Sequence, residues 1–207
     1  MKKLIALLVV AFFVAGCVPT HYVRYDIGLK EVERPSDAKK RYGEPKIVQF
    51  EEEGKTKYSF EDGMLKIVWL PISSQFGFFL TNKTSHSIKI VWDEAVYVDE
   101  SGVSKRVMHS GVKYIDRNNP QPFTTVARGA TISDIVLPTD NVYYLSGLGW
   151  RESPLLPNSG TQKPEIENKA RGVVGKNVQV LLPIKIEDVV NEYVFVFSID
   201  GYSITTE

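Results

Sequence analysis

The sequence predicts an all-β chain folded as an antiparallel β-sandwich, and three observations carry that reading. From Gln75 onward, short apolar runs recur between polar turn signals, the spacing of an all-β domain. Within several runs the faces alternate with period two, so that Ile88, Ile90 and Trp92 oppose Lys89, Val91 and Asp93 and one face is buried. The two longest runs, 178–186 and 193–199, each gather large apolar side chains on one face, Val178 to Ile186 at every second position and then Tyr193, Phe195, Phe197 and Ile199. The core is therefore expected between sheets and not around a helix.

The chain opens with Met1-Lys2-Lys3, an unbroken apolar run over 4–14, and Ala15-Gly16-Cys17. Two lysines before a short apolar run are the n- and h-regions of a secretory signal, and the run is too short to cross roughly 30 Å of hydrocarbon. Val14-Ala15-Gly16-Cys17 resembles the bacterial lipobox. The resemblance implies that residues 1–16 are a lipoprotein signal peptide, cut before Cys17. It further implies a diacylglyceryl group on the Cys17 thiol and an acyl chain such as palmitate on the new amine. Cys17 is the only cysteine, which accounts for an unpaired thiol in an exported chain. Two or three acyl chains anchor stably, because each buried methylene contributes about 0.8 kcal/mol. Val18 stands where an aspartate marks inner-membrane retention in Gram-negative lipoproteins, so in a Gram-negative envelope the resemblance implies the periplasmic face of the outer membrane. Residues 17–34 show no clear period and read as a lipidated tether with one short strand at 22–27.

Removal of residues 1–16 leaves 191 residues, enough for one substantial core without disulfides. Loss of Lys2 and Lys3 lowers 25 basic residues to 23 against 25 acidic ones. A charge of about minus two is no footprint for nucleic acid. No second run approaches membrane-spanning length, and the remainder is expected to be soluble.

Residues 35–70 read as a helix-plus-hairpin extension. Ser36 can cap a helix over 38–42, Gly43 can close it in the left-handed conformation, and Pro45 prevents its continuation. A strand at 46–50 follows. Runs at 58–60 and 64–70 flank Glu61-Asp62-Gly63, a turn in which Gly63 is expected at positive φ. A short helix, Gly43-Glu44-Pro45 and a hairpin at Asp62-Gly63 are similar to the small assembly lipoproteins of the SmpA and BamE type, although that family has two helices. This resemblance implies an outer-membrane assembly factor whose residues 35–70 form a module.

Residues 71–207 are read as the sandwich. Phe76, Phe78 and Leu80 alternate with Gly77 and Phe79, and Thr81-Asn82-Lys83-Thr84 makes a polar turn; its Asn-Lys-Thr sequon is read as a turn only. Runs at 96–99 and 103–107 flank Glu100-Ser101-Gly102 as a hairpin, and 131–137 is a strand ended by Pro138. Pro183 cannot donate to a ladder and predicts a bulge or sheet edge. Phe79-Leu80-Thr81-Asn82-Lys83-Thr84, Val96-Tyr97-Val98-Asp99-Glu100-Ser101-Gly102 and the strand ending in Pro138 resemble the immunoglobulin-like accessory domains of bacterial envelope lipoproteins. That resemblance implies an immunoglobulin-like antiparallel sandwich and no shared chemistry.

Two loop insertions interrupt the strands, 110–123 and 139–175. They hold Tyr114 and Arg117, then Tyr143, Tyr144, Trp150 and Arg151, residue types that dominate recognition hot spots. These six are the candidate contacts for an envelope protein, peptide or glycan; an alternative is that the aromatic residues only cover the sandwich edge. His21, His86 and His109 have no metal-like spacing, and the two latter are expected to be solvated or locally hydrogen-bonded. No Gly-x-Ser-x-Gly elbow appears, Gly147-Leu148-Gly149 lacks a third glycine, and no spacing selects a carboxylate pair. The expectation is a non-enzymatic binding or structural lipoprotein with no catalytic residue, metal or cofactor. The alternatives are an envelope hydrolase with a site under 139–175 and an outer-membrane assembly factor.

Overall fold

The computed structural model describes residues 19–207; the expected signal segment and Cys17 lie outside the described residues. The chain is mostly antiparallel β. It opens with β1 (His21–Glu33), the short helix α1 (Ala38–Tyr42), β2 (Lys46–Glu52), β3 (Lys55–Glu61) and β4 (Leu65–Pro71). Next come β5 (Phe76–Asn82), β6 (Ile88–Ile90), β7 (Val96–Val98), β8 (Ser104–Met108), β9 (Thr124–Val126) and β10 (Thr131–Pro138). Then follow β11 (Val142–Leu145), β12 (Gly149–Glu152), β13 (Ser159–Gly160), helix α2 (Lys163–Arg171), β14 (Asn177–Ile186) and β15 (Val189–Thr206).

The hydrogen-bonded path runs β13-β1-β15-β14-β7-β8-β10-β5-β4-β3-β2, with β6 and β9 branching from β14. It curls at a narrow corner, where β8 and β10 share only the pairs Leu137 with Met108 and Pro138 with Val107. The two limbs thus face each other, and their inward side chains form the core. Trp69 on β4 stands 4.9 Å from Phe195 on β15, and Phe76 on β5 stands 4.6 Å from Phe197, centroid to centroid. Each such ring taken out of water contributes about 1.5–3 kcal/mol, with edge-on contacts adding specificity. Phe60, Leu65, Ile67 and Trp69 belong to this same core, so β3 and β4 share it with the strands that follow.

The alternating faces expected for β5, β6 and β14 are present, with Phe76, Phe78, Leu80, Ile88, Ile90 and Trp92 all buried. Asn82 of the sequon closes a turn: its Oδ1 accepts from the Thr84 backbone N–H at 2.9 Å, and its amide donates to the carbonyl of His86 at 2.7 Å. Helix α1 is followed by Gly43 in the left-handed region, at φ 75°.

Four expectations are corrected. The first concerns the tether: from His21 onward the chain is β1, paired along its length with β15, and Thr20 exchanges both backbone hydrogen bonds with Glu207. Register shifts at Asp26/Ile27 and Leu29/Glu31 move the alternation out of phase, which is why no period was visible. Second, Gly63 does not have positive φ. Asp62 makes that turn with its side chain, Oδ1 accepting from the N–H groups of Met64 at 2.8 Å and Leu65 at 3.1 Å. Gly63 is needed for a close approach instead, since its N–H meets the Tyr42 carbonyl at 2.7 Å and a Cβ would lie 2.7 Å from that oxygen.

Third, Pro183 lies at neither a bulge nor an edge. β7 pairs with β14 at 179–181 and β6 at 184–186. Pro183 falls between the two partners, and its carbonyl accepts from Val91 N–H at 2.9 Å. Fourth, 139–175 is not a long loop, for it contains the β11–β12 hairpin and α2. The helix buries only Ile166 and Ala170, against Val23, a stripe too narrow to register as a helical period.

The end of the core near α1 is closed by polar groups. The Arg34 guanidinium meets Asp62 Oδ2 at 3.0 Å, with both side chains buried, and the Tyr193 hydroxyl donates to the same oxygen at 3.2 Å. Beside them the Tyr42 hydroxyl donates to Asn191 Oδ1 at 2.6 Å.

Candidate functional site

The two insertions meet. Residues 110–123 are held down at both ends: Ser110 N–H donates to Asp134 Oδ1 at 2.8 Å, and Gln121 donates to Asp93 Oδ1 at 3.0 Å and, through its side chain, to the Val107 carbonyl at 2.6 Å. Between these anchors a 3-10 turn at Tyr114–Asp116 lifts Tyr114 and Arg117 toward the second insertion. There β11 and β12 form a hairpin outside the main sheet. Its root is fixed by Val142, buried with Met108 and Leu137, and by Asn141, whose carbonyl accepts from Ser153 N–H at 2.7 Å.

Register decides which hairpin residues reach the first insertion. Tyr144 is opposite Trp150 and Tyr143 is opposite Arg151, so the two pairs lie on opposite faces. Trp150 receives Tyr144 at 5.4 Å and Tyr114 at 6.1 Å, both edge-on, and the Arg117 guanidinium lies over its ring at 5.1 Å. Four of the six candidate residues are therefore brought together. Tyr143 and Arg151 are not among them; they occupy the outer face, both exposed, with the Arg151 guanidinium donating to the Trp150 carbonyl at 2.8 Å.

Glu152 completes the cluster and was not visible as a candidate in the sequence. Its carboxylate accepts from the hydroxyls of Tyr114 and Ser74, each at 2.5 Å. The bond to Glu152, then partial burial, holds the Tyr114 hydroxyl above its ordinary pKa, so it remains a donor at neutral pH. A carboxylate two residues after Trp150, on the same strand face, is the signal that would have found it. Around this fixed centre lie exposed apolar groups, with Tyr144 61%, Leu148 62% and Ile115 72% accessible. Rigid aromatic groups beside a guanidinium can stack on flat or apolar ligand groups, while the guanidinium and the indole N–H donate hydrogen bonds.

The histidines lie apart from this cluster. His109 is not solvated: its ring stacks on Trp92 with centroids 4.4 Å apart, and Nδ1 is 3.3 Å from Asp134 Oδ2. His86 is exposed beside Glu187, and His21 Nδ1 is 2.8 Å from Thr206 Oγ1. Among the described residues no three His, Cys, Asp or Glu side chains are placed to hold a metal ion. No protein-family model, curated protein or solved structure matches the chain, which leaves its functional reading to the chemistry of this surface.

Proposed function

We propose that the chain is a lipid-anchored envelope protein that binds a protein partner through the surface centred on Trp150. One observation carries the binding role: Tyr114 and Arg117 from one insertion and Tyr144 from the other converge on a single tryptophan. A surface built only to cover the core would bury these rings, whereas Tyr144 and its apolar neighbours stay open to solvent. Supporting the anchor is the lipobox-like end of the apolar run at Cys17. An immunoglobulin-like arrangement of residues 71–207 fits with this role as a rigid support. The packing of Phe76 against Phe197 from facing limbs supports that reading.

The test is affinity capture from envelope extracts with wild type and with Trp150→Ala plus Arg117→Ala. A hot spot of about 2 kcal/mol corresponds to roughly 30-fold weaker capture of a specific partner. Unchanged recovery of every partner by the folded double variant would overturn the assignment. Fractionation of Cys17→Ser tests the anchor separately: it is expected to leave the membrane fraction with its fold unchanged, and persistent membrane association after export would refute lipidation.

A further inference from the structure

The curled sheet leaves a cavity of about 540 Å³ that shares no residue with the Trp150 surface. The strand path ends at β13 and β1 on one limb and at β2 on the other, and the cavity lies where these limbs part. Its inner wall is apolar and drawn from distant segments: Tyr25, Leu70, Phe76, Tyr97, Leu156 and Val178. Exposed charged residues mark its mouth, Arg24 and Asp26 from β1, Lys55 from β3 and Asp200 from β15. This size and lining are those of small-molecule sites.

Tyr97 gives the cavity its chemistry. The residue is 1% exposed, and its hydroxyl has no hydrogen-bond partner. A buried donor without an acceptor is costly, and native structures seldom leave one unexplained. Burial first, then the carboxylates of Glu100 and Asp99, push this hydroxyl well above the ordinary phenol range, so it stays protonated. The same two carboxylates oppose any anion brought beside it.

We propose that this cavity binds a neutral, largely apolar small molecule whose one buried oxygen, a carbonyl or ester oxygen, accepts a hydrogen bond from the Tyr97 hydroxyl. The wall supplies the contact area and Tyr97 supplies the orientation. The proposal does not depend on the partner-binding role of the Trp150 surface.

Calorimetric titration of the full chain carrying Cys17→Ser tests it with methyl decanoate and with decanoate. The ester is expected to bind saturably at one site and the anion at least tenfold more weakly. Tyr97→Phe removes only an unpartnered oxygen, so the variant should fold and bind the ester about tenfold more weakly. Ile72→Trp adds bulk at a cavity residue that is 43% exposed and should abolish ester binding with an unchanged circular dichroism spectrum. No saturable ester binding, equal affinity for the anion, or undiminished ester affinity in either folded variant would each overturn the proposal.

Discussion

Asp62 offers the sharpest test of what holds the fold together. Its carboxylate caps a turn through Oδ1, meets the Arg34 guanidinium through Oδ2, and accepts the Tyr193 hydroxyl. Asp62→Asn retains an oxygen for the Met64 and Leu65 N–H groups while removing the charge. The Arg34 side chain is only 8% exposed, so the substitution leaves a cation buried with no counter-charge at Asp62. Breaking one side of such a pair costs about 3–5 kcal/mol, a large share of the ~5–15 kcal/mol by which a domain of this kind is stable. Denaturant unfolding followed by far-ultraviolet circular dichroism should show a lower midpoint with an unchanged slope. The diagnostic partner is Arg34→Met combined with Asp62→Asn, which removes both charges and should recover at least half of the loss. A single variant costing less than ~1 kcal/mol would refute the reasoning, because uncompensated burial is expected to exceed that by several-fold. So would a double variant less stable than the single one.

Other regions make separate predictions. Gly63→Ala should cost about 1–3 kcal/mol, because its Cβ would press on the Tyr42 carbonyl and α1 must move; an unchanged unfolding midpoint would contradict that contact. Trp150→Ala should lower stability by only about 1–2 kcal/mol, since it removes half-buried edge-on and cation–π contacts on a hairpin outside the main sheet. A loss near that of a core ring would show that the hairpin unfolds with the sheet. Six of the ten tyrosines, Tyr25, Tyr42, Tyr58, Tyr97, Tyr114 and Tyr193, are held above the ordinary phenol value, Tyr25 at about 12. Because these folded values are raised, their contribution to stability is complete below about pH 10 and is lost as pH climbs toward the folded values. Phenolate absorbance at alkaline pH should therefore appear in large part together with unfolding, and full ionisation of a still-folded chain would refute it.

The sequence shows the inward faces of β5, β6, β14 and β15, because an unbroken strand leaves its pleat in the order of residues. It hides β1, since two register shifts scramble the same pleat. It also hides α2, where only Ile166 and Ala170 are buried. At the candidate site, residue type identified Tyr114, Arg117, Tyr144 and Trp150, but only hairpin register separates Tyr144 from Tyr143. Glu152 has only its place two residues after Trp150 on the same strand face, and Tyr97 carries no local pattern of its own. Their roles arise from contacts between distant segments, Glu152 with Tyr114 and Ser74 and Tyr97 with the walls of a cavity drawn from several strands.

The early start of β1 sets a leash. If Cys17 carries the lipid, four Cα-to-Cα steps separate it from His21, at most about 14 Å of extended chain at roughly 3.5 Å per step. That reach is about half the thickness of a bilayer's hydrocarbon core. A body held so short would not swing above the membrane; it would roll against the headgroups through a narrow range of tilts. Its search for a partner on the same membrane would become two-dimensional, with encounter set by surface density and not by bulk concentration. Lengthening the segment between Cys17 and Thr20 would then change which partners are reached without altering any contact in the folded body.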